Sequence, residues 1–157
     1  MPRHWLMKSE PAEGSVDDWT QAPGLTLPWV GVRNYQARNF MRDAMTPGDG
    51  VLFYHSSCAL PGVAGLAEVT SHASPDATQF DPASRYFDAR STPDAPRWLQ
   101  VEVKLLAKTR LLSLREMRLR PELATMVLLK PGNRLSITPV TAAEWQAVTT
   151  LLSSPEP

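Results

Sequence analysis

The sequence predicts an α+β domain in which a small curled sheet or barrel of mostly antiparallel strands is flanked by short helices. Two observations carry this prediction. Runs of strand length end in proline and glycine turns, and several short segments between them open with helix-capping residues. The pattern also lacks the alternating strand–helix–strand units of a parallel dinucleotide-binding sheet.

The first part of the chain predicts a strand and a helix. The apolar run His4–Lys8 has the length of a strand. Ser15 and Asp18 stand three positions apart, the spacing at which a hydroxyl and a carboxylate cap a helix start. Prolines and a glycine within 23–28 then interrupt the chain.

A second helix is predicted next, with Asn34 as its cap and Tyr35–Met45 as its body. Spacings of three and four would place Tyr35, Arg38 and Arg42 on one face. The turn residues 47–50 follow, and two strands are predicted after them.

These two strands are Val51–His55 and Val63–Val69, separated by a Pro61-Gly62 turn. Residues 73–97 are rich in proline and aspartate and predict a long loop, a feature that is often functional in a compact domain. The alternating run Trp98–Leu112 then predicts a long strand.

The last part of the chain predicts two short helices that begin near Ser113 and Pro121, because each has a residue suited to a helix start. A strand over Arg134–Val140 and a capped helix from Thr141 to Leu152 follow. We therefore expect one domain over 1–152 and a frayed tail over 153–157.

Composition limits the function. Sixteen basic and 16 acidic residues give 157 residues a formal net charge of zero, which argues against tight sequence-blind binding to long nucleic acid. Basic residues are nevertheless concentrated in 97–134, where only three glutamates oppose them: Arg97, Lys104, Lys108, Arg110, Arg115, Arg118, Arg120, Lys130 and Arg134. No apolar run suits a membrane span or a secretory signal, so we expect a cytoplasmic protein.

Known catalytic and metal-binding patterns do not appear. Phosphate-loop, nucleophile-elbow and HExxH patterns are missing from the sequence. One cysteine, Cys58, precludes an internal disulfide, and His55 with Cys58 supplies too few zinc ligands. We expect no catalysis, no cofactor and no metal.

The stretch GVRNYQARNF at 31–40 combines arginine, asparagine and glutamine with tyrosine, and Trp29 precedes it. Such planar donors and acceptors read base edges, and the aromatic rings stack on bases. Trp29 and Trp98 border proline-marked loops and are candidate pocket residues, whereas Tyr54 suits either core or pocket. Trp5, Trp19 and Trp145 are expected in the core.

Eight segments of the sequence resemble motifs of the EVE-domain family, part of the wider PUA-like group related to YTH readers. In order along the chain they are WLMKSEP (5–11), GVRNYQARN (31–39), FYHS (53–56), the glycine-containing turn at 61–65, FDP (80–82), PRW (96–98), GNRLS (132–136) and the PV and EW pairs within 139–145. The resemblance implies a small PUA-like barrel and a role in holding modified bases, chiefly modified cytosines in DNA, with modified RNA bases as a second option.

The resemblance also implies a set of ligand-binding residues. They are Lys8, Ser9, Trp29, Arg33, Asn34, Tyr35, Arg38, Asn39, Tyr54, His55, Ser56 and Trp98. Family members often carry an acidic residue at Val30 and asparagine at Ser57, so these two positions depart from the pattern. We also expect backbone N–H groups near Asn34 to face an anion.

Three alternatives stay open from the sequence. In the first, Arg33 and Asn34 only tie a loop to the sheet. In the second, the chain is an enzyme acting on a modified nucleoside, with His55 as base and Lys8 as electrostatic helper. In the third, it is a protein-interaction module that docks through 73–97. The sequence names no protein partner.

Overall fold

The computed structural model describes residues 2–154. Its strands are β1 (His4–Ser9), β2 (Thr26–Pro28), β3 (Gly50–His55), β4 (Gly62–Val69), β5 (Ser74–Pro75), β6 (Leu99–Gln100), β7 (Glu102–Ser113) and β8 (Ile137–Val140). Its α-helices are α1 (Val16–Gln21), α2 (Tyr35–Asp43), α3 (Leu114–Arg118) and α4 (Ala142–Leu152). Short 3₁₀ turns lie at Pro23–Leu25, Ala77–Phe80, Pro121–Leu123 and Val127–Leu129.

Six strands form one mixed sheet in the order β2-β7-β4-β3-β1-β8. The pair β1–β3 is parallel, and the other pairs in this sheet are antiparallel. The predicted α+β class and the mostly antiparallel sheet are therefore confirmed. Within residues 2–154 the pairing leaves β2 and β8 as edge strands, so closure into a barrel is not confirmed.

Local capping explains where the helices begin. Ser15 and Asp18 form a capping box ahead of α1, and Thr141 and Glu144 form another ahead of α4. Asn34 Oδ1 accepts a hydrogen bond from Ala37 N at the start of α2, as predicted. Each cap satisfies backbone N–H groups that the first helical turn leaves without a partner.

Several boundaries differ from the predicted ones. The predicted strand Trp98–Leu112 is split, because Gln100 pairs with Ser74 in a separate two-stranded sheet while β7 pairs with β2 and β4. The last strand begins at Ile137 instead of Arg134, since the Asn133 side chain bonds Leu135 N and Val127 O and holds a turn there.

The helix α2 likewise ends at Asp43, two residues before its predicted end, and β2 was not predicted. At the other end of the chain, the Ser153 and Ser154 hydroxyls donate to carbonyls in the last turn of α4. The predicted frayed tail otherwise falls on 155–157, which lie outside the described residues.

The sheet separates two apolar cores. The first contains Trp5, Met7, Trp19, Trp29 and Phe53, and helices α1 and α2 cover it. The second contains Leu6, Leu52, Tyr54 and Val148, with Trp145 packed against it, and α3 and α4 cover it. Alternate residues of β1 and β3 therefore serve opposite cores, as the period of a strand requires. No helix in residues 2–154 is long and apolar enough to cross a membrane.

Candidate functional site

A cavity of about 750 Å³ opens where β1 and β3 end. This volume lies within the range of small-molecule sites. It is lined by the end of β1 and the turn after it, the residues after β3, helix α1, the connection from β2 to α2, the loop before β6 and residues just before β8. The residues that line it are Lys8, Ser9, Glu10, Glu13, Gly14, Asp18, Trp19, Leu27, Pro28, Trp29, Val30, Gly31, Val32, Ser56, Ser57, Thr78, Ser84, Arg85, Tyr86, Arg134 and Ser136.

The aromatic part of the lining is formed by Trp29 and Trp19. Their ring centroids lie 5.2 Å apart, and the edge of each packs against Phe53. Trp19 Nε1 donates to Val103 O at 3.0 Å, which satisfies its one buried donor. Trp29 is only 4% exposed, so most of its ring stabilises the first core and a small part faces the cavity.

Tyr86 supplies a more accessible aromatic wall. Its ring lies against Gly31, whose φ of +83° belongs to the region that favours glycine. A Cβ built on Gly31 would lie 2.6 Å from Tyr86 Cζ. Glycine at this position is therefore what allows the ring to approach the backbone of the GVRN segment.

Arg33 holds this wall in place. Its guanidinium donates twice to Tyr86 O, at 2.8 and 3.2 Å, and to Thr78 Oγ1 and Val32 O. It also donates to Asp76 Oδ2 at 3.1 Å, and the Asp76 carboxylate is fully buried. All five N–H donors of Arg33 are thus engaged inside the protein. The reading in which Arg33 ties the loop to the sheet is the one that these contacts support.

Lys8 brings an unpaired amine to the cavity. The side chain is half-buried, and within residues 2–154 its Nζ has no hydrogen-bond or ion-pair partner. Burial lowers the pKa of Lys8, because a charged amine loses hydration there. An amine in this position gains from an acceptor or anion supplied by a ligand.

Carboxylates also line the cavity. Glu13 pairs with Arg85 at 2.6 Å, and the Glu10 carboxylate lies 3.8 Å from the same guanidinium. Asp18 Oδ2 accepts from Ser15 N as part of the α1 cap. The cavity therefore presents carboxylate acceptors as well as an amine donor.

A second group of predicted residues lies beyond the cavity wall. Trp98 is buried, donates from Nε1 to Asp88 Oδ2 at 2.7 Å, and stacks on Tyr35 with centroids 4.8 Å apart. The Arg38 guanidinium lies over the Tyr35 ring at 4.6 Å, and it donates to Asn39 Oδ1. Trp98, Tyr35, Arg38 and Asn39 do not line the cavity, and neither does the helix cap Asn34.

The guanidinium of Arg33 connects this group to the cavity wall. Its carbon lies 5.4 Å from the Tyr86 ring centroid and 5.3 Å from that of Trp98. Cation–π contacts of this kind are worth about 0.5–2 kcal/mol. The same guanidinium therefore lies beside one ring that lines the cavity and one ring that does not.

His55 and Tyr54 also lie outside the lining. His55 Nε2 accepts a hydrogen bond from Val16 N at 3.0 Å, so its ring caps the start of α1. Burial lowers the pKa of His55, which agrees with a neutral ring whose lone pair is occupied. Tyr54 is buried in the second core, and desolvation raises its pKa to about 12.

The structure thus brings four predicted residues into the cavity: Lys8, Ser9, Trp29 and Ser56. Ser9 Oγ donates to Gly14 O and fixes the turn after β1. Sequence reasoning missed Tyr86, Arg134 and the carboxylates. The FDP and GNRLS matches, close to Tyr86 and at Arg134, were the available signals for two of them. Among residues 2–154, no cluster of histidine, cysteine, aspartate and glutamate side chains suits a metal ion.

Comparison with known proteins decides the family. The family model described as "EVE domain" matches residues 3–151. The chain belongs to the EVE-domain family. Human thymocyte nuclear protein 1 is 40% identical over 166 residues, covering 94% of this chain and 73% of that protein.

Solved structures agree with this assignment. A hypothetical protein from Leishmania major is 45% identical with a TM-score of 0.92, over 98% of this chain and 96% of that one. Human THYN1 protein, solved in complex with DNA containing 5-methylcytosine, is 39% identical with a TM-score of 0.89, over 98% and 99% of the two chains.

A more distant likeness concerns the fold alone. The YTH domain of the Zygosaccharomyces rouxii MRB1 protein, solved with N6-methyladenosine RNA, is 16% identical with a TM-score of 0.57. The match covers 99% of this EVE domain and 89% of the YTH chain. The arrangement of strands and helices is therefore shared with YTH domains.

Proposed function

We propose that this EVE domain is a non-catalytic reader of nucleic acid that holds one modified base in the cavity beside Tyr86. The observation that carries the proposal is the cavity itself, which combines aromatic walls with carboxylates and with an amine that has no partner within residues 2–154. Support also comes from the human THYN1 protein, 39% identical, whose structure contains 5-methylcytosine DNA.

The aromatic walls suit a flat ligand. Tyr86 is half-buried and faces the cavity from one segment, while Trp29 and Trp19 face it from others. Stacking of a base on an aromatic side chain contributes about 1–3 kcal/mol. Extruding a base from a duplex costs a few kcal/mol, so a single-stranded or weakly paired site binds more readily.

The polar walls suit a base with an exocyclic amino group. Carboxylates accept hydrogen bonds from the N4 amino group of cytosine, whereas the Lys8 amine donates to a ring nitrogen, a carbonyl or a phosphate. Glu10, whose carboxylate has only a long ion pair within residues 2–154, is the carboxylate most available for this contact. The proposed ligand is therefore a modified cytosine in DNA, with a modified RNA base as the second option.

The proposal includes the absence of catalysis. His55, the general base of the enzyme alternative, would have to release Val16 N before it accepted a proton from a substrate. A cytoplasmic location is also part of the proposal, and imaging of a tagged chain tests it.

The decisive experiment compares affinities for single-stranded and duplex DNA and RNA oligonucleotides that differ in one base. The set contains cytosine, 5-methylcytosine, thymine or uracil, and N6-methyladenosine at that position. Because Trp29 is almost fully buried, its replacement by alanine would cost about 3–5 kcal/mol of folding stability and would confuse the result. Tyr86→Ala is the better variant.

The neighbouring Phe87 provides a matched control. It lies on the same loop, is 43% exposed and does not line the cavity. We expect tighter binding of the modified oligonucleotide, a loss of about 10- to 100-fold in Tyr86→Ala, and no loss in Phe87→Ala. Equal binding of all bases by the native chain would overturn the proposal.

A further inference from the structure

The cavity opens next to basic side chains that have no hydrogen-bond or ion-pair partner among the described residues. Lys8 and Arg134 both line the cavity, and Lys8 N donates to Ser136 O at 2.8 Å, two residues from Arg134. Arg134 is exposed, and within residues 2–154 its guanidinium makes no hydrogen bond or ion pair. Two unpaired cationic groups therefore stand at one side of the opening.

Tyr54 lies beside Lys8 in the sheet. The two residues are Cα partners in the parallel pair β1–β3, so their side chains leave the same face. Tyr54 is 3% exposed, yet its hydroxyl has no partner among the described residues. If this oxygen were fully buried, it would be a buried polar atom without a hydrogen bond, and it is not one of those atoms. The hydroxyl oxygen is therefore partly accessible to solvent. A buried tyrosine usually places its hydroxyl against an acceptor.

Arg118 completes the group. It ends α3, which is tied to the loop after β3 by the hydrogen bond from Leu114 N to Pro61 O. Its positive charge opposes the burial that raises the pKa of Tyr54. Arg118 is exposed, and it too has no partner within residues 2–154.

We infer that these four residues form a phosphate-binding rim, which holds the sugar–phosphate backbone on either side of the base in the cavity. The rim consists of Lys8, Tyr54, Arg118 and Arg134. All four side chains can donate hydrogen bonds to a phosphate. This inference rests on the proposed function, since it identifies where the strand enters the same site.

The carboxylates of the lining cannot serve this purpose. Glu10, Glu13 and Asp18 carry them, and a carboxylate repels a phosphodiester. The start of α2, where we expected an anion, does not line the cavity, since Asn34 and Tyr35 are not among its lining residues. The backbone therefore runs along the rim, and the base edge faces the carboxylates.

The test measures how affinity depends on salt. Binding of single-stranded DNA is followed between about 50 and 200 mM salt for the native chain, Arg134→Gln and Arg118→Gln, using cytosine and 5-methylcytosine oligonucleotides. Loss of one phosphate contact lowers the slope of log K against log salt by about 0.7–0.9. We expect this decrease in each variant, with the ratio between modified and unmodified DNA unchanged.

Two further variants sharpen the result. Arg3→Gln is the matched control, because Arg3 is exposed just before β1, at the end of the strand opposite to the cavity. It should leave the slope unchanged. Tyr54→Phe removes the hydroxyl and keeps the ring in the second core, and it should weaken both oligonucleotides equally.

The outcomes separate the two proposals. A native chain that prefers the modified base, with slopes that do not change in Arg134→Gln and Arg118→Gln, overturns the rim and keeps the reader. Equal binding of modified and unmodified DNA overturns the reader. A chain that binds neither oligonucleotide overturns both.

Discussion

The Tyr86 ring rests directly on the Cα of Gly31, where the carbon of any side chain would lie 2.6–2.9 Å from three ring atoms. Arg33, two residues further on, donates twice to the carbonyl of Tyr86. The GVRN segment therefore acts on the cavity mainly by placing Tyr86, a residue of the distant loop before β6.

Gly31→Ala tests this contact. The added methyl meets the Tyr86 ring, and an alanine at a φ of +83° is strained, so we expect a loss of about 2–4 kcal/mol in the free energy of unfolding. Urea denaturation measures it. Gly48→Ala is the control, because its φ is +97° and nothing lies within 4 Å of the added carbon. It should lose only about 1 kcal/mol. Equal losses in the two variants would show that the contact with the Tyr86 ring does not contribute to the free energy of unfolding.

Arg33→Lys should be strongly destabilising despite keeping the charge. An ammonium cannot reproduce the planar set of contacts to Tyr86, Thr78 and the buried Asp76. We expect a loss of about 2–4 kcal/mol, measured by urea denaturation, and a weaker affinity for modified DNA. The exposed pair of Arg42 with Asp43 gives the comparison, and Arg42→Lys should leave the free energy of unfolding almost unchanged. A small effect of Arg33→Lys would mean that contacts other than those of Arg33 hold the loop that carries Tyr86.

His55 should make stability depend on pH. Its folded pKa is lowered by burial, so the unfolded chain binds a proton first, near pH 6.5, and is favoured as the pH falls. The contribution of neutral His55 is complete above about pH 6.5 and is lost as the pH falls through the folded pKa. Urea midpoints at pH 7.5 and 5.5 measure the difference. His55→Gln, whose amide oxygen can accept from Val16 N, should reduce this difference, whereas His72→Gln should leave it as in the native chain.

Ser57 sits at the mouth of the cavity with a φ of +53°, which a residue with a side chain adopts at a cost. Ser57→Gly and Ser57→Asn should therefore raise the free energy of unfolding by about 0.5–1 kcal/mol, because both residues accept this conformation more readily. Ser56→Gly serves as the control, since the neighbouring backbone has no positive φ, and it should lower stability. A loss of stability in Ser57→Gly would contradict the inference that the backbone of Ser57 is strained.

Local signals predicted the caps and most strands well. Ser15, Asn34 and Thr141 each act within four residues of the chain, so their roles are visible in sequence. The asparagine that family members often carry at the position of Ser57 also has a local explanation, because asparagine tolerates a positive φ better than serine does.

The aromatic residues show what sequence could not supply. Trp98 and Tyr86 both stand in or beside the long loop, yet one is buried against Tyr35 and the other faces the cavity. The Tyr86 ring lies against Gly31 and its carbonyl is held by Arg33, whereas the Trp98 ring stacks on Tyr35, and all three partners are far away in the chain. The same holds for Trp29, whose position near a loop did not reveal that its ring is mostly enclosed by the first core.

The position of β1 between β3 and β8 has a consequence for biosynthesis. His4 pairs with Gly50 on one side and with Val140 on the other, so β1 obtains its second partner only after most of the described residues have been translated. Until then its free edge can accept a strand from another nascent chain. Sequence-distant pairing of this kind slows folding, and we expect chaperone dependence to be greatest in this interval.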